Sequence, residues 1–103
     1  MKHFFHPAAF EEYVSAAGYY TAINPHLAES FIRAVESAIK DILKYPEAWQ
    51  TIEDDVRRRL VRRFPFGIYY CIEGDAIMIY AIMHMSRHPD YWKGRLRQPQ
   101  DLE

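Results

Sequence analysis

Two clusters of residues in this chain could do chemistry. The first is Arg57-Arg58-Arg59, with Arg62 and Arg63 just before Phe64-Pro65-Phe66. The second is His84-Met85-Ser86-Arg87-His88-Pro89-Asp90-Tyr91-Trp92, followed by Lys93 and Arg95. Guanidinium forks suit carboxylates and phosphates alike. Arg58, Arg59, Arg62 and Arg95, with Trp92 beside them, are therefore candidate binding residues for nucleic acid or for an acidic protein segment. The second cluster could also cut RNA by attack of an internal 2′-hydroxyl. That reaction needs a base for the hydroxyl, positive charge on the phosphorane and a proton for the leaving oxygen. His84 would be base or acid, Arg87 with Arg62 or Arg63 the electrostatic clamp, and Tyr91 the second proton-transfer group. The candidate catalytic set is thus Arg63, His84, Arg87 and Tyr91. A plainer reading is structural: the arginine run is a solvated edge strand, His84 caps the end of a sheet, and Tyr91 and Trp92 fold the tail back over the core.

Other chemistries find no support. His3, His6 and His26 lack the spacing of a metal site, and no paired Cys/His pattern exists. No glycine-rich phosphate loop is present, so neither a metal nor an organic cofactor is expected. Cys71, the single cysteine, lies in an apolar run and reads as a small buried hydrophobe. The N-terminus has no long apolar stretch of the signal-peptide kind. No segment approaches the roughly 20 apolar residues of a membrane span. A soluble, cytoplasmic protein with no membrane contact is the expectation.

The net charge of −1 conceals an asymmetry. Residues 1–56 carry four basic and nine acidic side chains, whereas residues 57–97 carry nine basic and three acidic ones. Such a division suggests a polyanionic partner. A length of 103 residues fits one domain, expected over residues 1–97, with 98–103 as a frayed tail. Half of the residues are apolar and 16% are aromatic, enough for a core and for an exposed binding surface besides.

The elements that must position these clusters follow from periodicity. Lys2-His3-Phe4-Phe5 could form an edge strand. Pro7 suits the first turn of a helix, and Phe10, Tyr13, Val14, Ala17 and Tyr20 recur at helical spacing. This predicts a helix from Pro7 to Ile23, in which Gly18 allows close approach of a neighbour. Asn24-Pro25 breaks and restarts the chain. Leu27, Phe31, Val35, Ala38, Ile39, Ile42 and Leu43 make an apolar stripe that ends at Tyr45-Pro46. Two helices joined so closely should form an antiparallel hairpin. From Val56 the period becomes two. Strands are expected through the arginine run, over Ile68–Glu73 and over Ala76–Met85, with a tight turn at Gly74-Asp75. The last of these, almost wholly apolar, should be central. The predicted class is α+β: a helical hairpin packed on a small antiparallel sheet.

Taken in order, these pieces resemble the RelE/ParE superfamily of toxins from type II toxin–antitoxin (plasmid stabilisation) systems. The resemblance runs from about Ala9 to Trp92. It is carried by Tyr19-Tyr20, Leu27-Ala28-Glu29-Ser30-Phe31, Tyr45-Pro46, Arg58-Arg59-Leu60-Val61-Arg62-Arg63-Phe64-Pro65-Phe66, Ile68-Tyr69-Tyr70, Ile77-Met78-Ile79-Tyr80-Ala81 and His84 with Arg87, Pro89 and Tyr91-Trp92. It implies growth inhibition by the free toxin, a cognate antitoxin protein that neutralises it, and operator DNA bound only through that antitoxin. ParE-like members poison DNA gyrase by binding it. RelE-like members cut mRNA on the ribosome without a metal. The long hairpin and the scarcity of lysine (Lys2, Lys40, Lys44 and Lys93) resemble the ParE side. Arg62 or Arg63, Arg87 and Tyr91 fall near the catalytic positions of RelE-like enzymes. A degenerate, non-toxic antitoxin-binding member is a third alternative.

Overall fold

A computed structural model describes residues 1–96. The expected tail at 98–103 lies outside the described residues. Strand β1 (Lys2–Phe5) leads into helix α1 (Pro7–Ile23), then helix α2 (Pro25–Lys44). Strands β2 (Thr51–Glu53), β3 (Val56–Leu60), β4 (Phe66–Glu73) and β5 (Ala76–His84) follow, and a 3-10 turn spans Lys93–Arg95. The five strands form one sheet in the order β1-β5-β4-β3-β2. β2 to β5 are antiparallel, and β1 adds a parallel edge beside β5.

Local chemistry sets the hairpin. The His6 Nδ1 accepts the Ala8 amide and opens α1, with Pro7 at the first helical position. Asn24 closes α1 by donating its amide to the Tyr20 carbonyl, and opens α2 by accepting the His26 amide on its side chain. One residue thus satisfies orphan groups of two helices. Pro25 then starts α2 without wasting an N–H.

The stripe expected on α2 is buried: Phe31, Val35, Ala38, Ile39 and Ile42 meet Ile68, Tyr70, Ile77, Ile79 and Ile82 of the sheet. On α1 the expectation is half met. Tyr13, Ala17 and Tyr20 pack against this core, but Phe10 and Val14 are more than half exposed. The helix is apolar on most sides, so periodicity does not single out the buried face. Ala9 and Ala16 occupy it, and their small side chains let α1 lie close on the sheet. Gly18 is exposed and approaches nothing: a Cβ there would meet no atom within 4 Å.

Two further expectations are corrected. The arginine run is not on an edge, because β2 covers β3. β2 escapes detection because all three of its residues are exposed and no alternation marks them. Arg62 and Arg63 leave the strand and form the β3–β4 turn, with Arg63 at φ 69°. The expected two-residue turn is present at Gly74-Asp75, with Gly74 at φ 64°.

β5 is central, as its composition implied. Tyr69 pairs with Ala81 and Tyr70 with Ile79, so Tyr80 is the extra residue of a bulge. The bulge turns both Tyr80 and Ala81 toward the face away from the helices. There a second, smaller core forms from Val56, Tyr69, Cys71, Tyr80, Ala81, Met83 and Trp92.

Candidate functional site

β3 sorts its arginines by face. Arg57 and Arg59 pair with Tyr70 and Ile68 and share their helix side. Arg57 donates to the carbonyls of Glu47 and Trp49 at 3.0 and 2.6 Å. Arg59 pairs with Asp41 of α2 at 3.0 Å and stacks on Trp49. It also donates to the Leu60 carbonyl. Arg59 ties the end of α2 to the sheet and Arg57 ties the connection that follows it, so Arg59, a candidate binding residue, is committed to structure. Arg58 faces the other way, half-buried beside Tyr69.

Beyond residue 79, β1 no longer accompanies β5, and side chains take over its free edge. The Glu12 carboxylate accepts the Ile82 amide at 3.1 Å. Arg95 donates to the Tyr80 carbonyl at 3.0 Å and forks onto both oxygens of Glu12 at 2.8 Å. Donation to the Glu12 carboxylate raises the Arg95 pKa despite desolvation. Arg95 is therefore engaged in structure as well. Sequence reasoning missed Glu12. Its signal was a carboxylate placed between Ala9 and Ala16 on the buried face of α1, where a charge needs a partner.

Trp92 requires the clearest correction. At 1% exposure it is a core side chain packed on Tyr69, not a surface contact. The structural reading of the tail holds for this residue. Lys93 pins the same segment through Glu53 and Asp90 at 2.6 and 2.7 Å.

The remaining candidates converge. A groove of about 780 Å³ runs between α1 and the exit of β5. Phe66, Ile82 and Met83 line it from the sheet, Ser15, Tyr19 and Ile23 from α1, and His84, Arg87 and Tyr91 from the exit loop. Two guanidiniums approach the Tyr91 ring, Arg87 at 4.9 Å and Arg95 at 5.0 Å from its centroid, and the residue stays 45% exposed. Three of the four proposed catalytic residues therefore share one groove. The fourth, Arg63, sits with Arg62 on the neighbouring turn, which the Met85 amide anchors through the Pro65 carbonyl at 2.8 Å. Arg87 also lines a smaller cleft of about 220 Å³ on the open face of the sheet, and Arg58 is there with it.

His84 and His88 repeat one device. Each Nδ1 accepts a backbone amide two residues on, from Ser86 and Asp90, at 3.1 Å. The neutral imidazoles must then carry their proton on Nε2. His3, His6 and His26 fall on β1, at the cap of α1 and in the first turn of α2. Among the described residues no three His, Cys, Asp or Glu side chains gather as metal ligands. Cys71 is buried, and desolvation pushes its thiol up to about 12. No helix of the described residues is long and apolar enough to cross a membrane.

The chain is thus a helical hairpin on a five-stranded sheet, with arginines around the exit of β5. The same fold occurs in a solved structure described as the chromosomal ParDE TA system from P. aeruginosa. The TM-score is 0.71 at 18% identity, covering 82% of this chain and 95% of that one. Residues 4–89 match the family model described as ParE toxin of type II toxin-antitoxin system, parDE. The chain belongs to this ParE toxin family. No curated protein sequence matches it.

Proposed function

We propose that the chain inhibits growth by binding DNA gyrase and that a cognate antitoxin holds it inactive. The observation that carries this reading is the match to the ParE family over residues 4–89. The 17-residue α1 and 20-residue α2 of the hairpin agree with it. The groove supplies a surface for the antitoxin. Tyr19 and Ile23 are 66% and 59% exposed on its helical wall, an apolar cost in a free monomer that a docked segment would remove. Arg87 at the opposite wall suits an acidic residue of that segment. Gyrase acts in the cytoplasm, and so would this toxin.

Two measurements test the reading. The product of the adjoining short reading frame, co-expressed, should co-purify with the chain. Tyr19→Ala with Ile23→Ser should weaken that complex at least tenfold while the fold stays intact. Induction of the chain alone should stop growth with a DNA-damage response. Normal growth after verified soluble expression would favour the degenerate, non-toxic alternative.

A second reading rests on a separate observation, the convergence of His84, Arg87 and Tyr91 on one groove. Those groups suit metal-independent cleavage of mRNA. It predicts cut transcripts by primer extension, lost in Arg87→Ala and Tyr91→Phe.

A further inference from the structure

We infer that the small cleft on the open face of the sheet is a binding site for a carboxylate carried on a short hydrocarbon stem. Its walls offer hydrogen-bond donors with no good acceptor to meet them. Tyr69 and Trp92, 3% and 1% exposed, line it together with Arg58 and Arg87. The indole N–H of Trp92 has no hydrogen-bond partner among the described residues. The Tyr69 hydroxyl donates only to the Met85 sulfur, at 3.9 Å, and a thioether is a weak acceptor. The arginine and lysine ion pairs among the described residues engage Arg59, Lys93 and Arg95, and leave Arg58 and Arg87 without a carboxylate. Glu53 and Asp90 also line the cleft, but Lys93 holds both, at 2.6 and 2.7 Å.

The sheet itself builds this arrangement. Gly67 and Tyr69, two apart on β4, share the open face. A Cβ on Gly67 would stand 3.1 Å from the Tyr69 ring, 3.2 Å from the Met85 sulfur and 3.3 Å from the Arg58 side chain. The bare glycine therefore lets a phenol, a thioether and an arginine stem gather over one point of β4. A buried donor without an acceptor is costly, and an anion bound in the cleft removes that cost.

Size and lining decide the ligand class. The cleft's volume of about 220 Å³ falls below the roughly 300–1,000 Å³ of sites for drug-sized ligands, so it takes one small group. Met83, Met85 and the rings of Tyr69 and Trp92 give it apolar surface. A hydrocarbon stem covers that surface, and a bare inorganic anion does not. A guanidinium fork matches the two oxygens of a carboxylate. An ammonium ligand would meet two like charges instead. Arg58 lines this cleft and not the larger groove, so the site does not rest on the gyrase reading.

The test is nitrogen–proton correlation NMR of the full chain, titrated with butyrate at constant ionic strength. The chain has two tryptophans, Trp49 and Trp92, and Trp49→Phe tells their indole N–H signals apart. The Trp92 signal should shift saturably, with a Kd of about 1–10 mM, while the Trp49 signal stays. Arg58→Gln should weaken binding about tenfold, and Tyr69→Phe should weaken it as well. Arg62→Gln, on the β3–β4 turn, should leave it unchanged, and thermal melts should show the three variants folded. No saturable shift, equal affinity in Arg58→Gln, or tighter binding of inorganic phosphate or of butylammonium would overturn the inference. N-acetylglutamate methylamide separates the sources of the carboxylate. Tighter binding than butyrate assigns the cleft to an acidic side chain of a polypeptide, and weaker binding assigns it to a free acid. A chain that binds butyrate yet leaves gyrase untouched keeps this inference and loses the gyrase reading.

Discussion

Glu12 and Arg95 lie 83 residues apart and meet through two hydrogen bonds of 2.8 Å, one to each carboxylate oxygen. The pair sits where β1 ends, and it satisfies both the Ile82 amide and the Tyr80 carbonyl of the central strand. It therefore stands in for a missing strand and fixes the tail that carries Tyr91. With side chains 12% and 19% exposed, removing one partner leaves a poorly solvated charge. Glu12→Gln should cost about 2 kcal/mol in chemical denaturation. The double variant with Arg95→Gln should cost less than the sum of the singles, because the stranded charge is gone. Full additivity would mean the contact carries no coupling.

Trp92 tests the tail from the apolar side. Trp92→Ala should destabilise by about 3–5 kcal/mol, the range for a large core aromatic. Its indole N–H is buried, with no hydrogen-bond partner among the described residues. Trp92→Phe therefore loses volume but no hydrogen bond, and it should cost about 1 kcal/mol or less. Urea midpoints for the two variants check the difference.

The hairpin is the part of the fold most open to reading from residue order, for a local reason. Asn24-Pro25 signals its own break, and α2 alternates polar and apolar positions so cleanly that its buried stripe is visible. α1 is harder because Phe10 and Val14 look like core yet face outward, while Ala9 and Ala16 do the burying. The arginines mislead in the same way. Arg59 and Arg95 look like binding residues in a basic run, but Asp41 and Glu12 claim them from 18 and 83 positions away. Nothing in a linear pattern reports such a partner. Arg62, Arg63, His84, Arg87 and Tyr91 are exposed, and among the described residues no carboxylate pairs with the three arginines. Of the cluster expected around the exit of β5, His84, Arg87 and Tyr91 line one groove.

Alkaline stability follows from the Cys71 thiol. Burial raises it from 9.0 to about 12. Between those values the unfolded chain has released a proton that the folded chain keeps, so stability must fall as pH rises through that window. Burial also raises Tyr20 and Tyr70, and Tyr13, hydrogen-bonded to Glu36, rises further. Denaturation midpoints should fall between about pH 9 and about pH 11, and Cys71→Ala should flatten the decline. Slow alkylation of the native thiol at about pH 8, against rapid alkylation in denaturant, is the companion measurement.

Gly18 offers a gain. It lies inside α1, exposed, with open space where a Cβ would stand. Gly18→Ala should stabilise the chain by about 0.5–1 kcal/mol, through helix propensity and a less flexible unfolded state. A rise in melting temperature checks it; a fall would mean that α1 is not helical there.

The gyrase reading meets its sharpest test in a supercoiling assay with purified gyrase, relaxed plasmid and this chain. Supercoiling should decline with toxin concentration, cleaved plasmid should accumulate, and a cognate antitoxin should reverse both. Undiminished supercoiling by a chain that still arrests growth, with transcripts cut in the same cells, would contradict it.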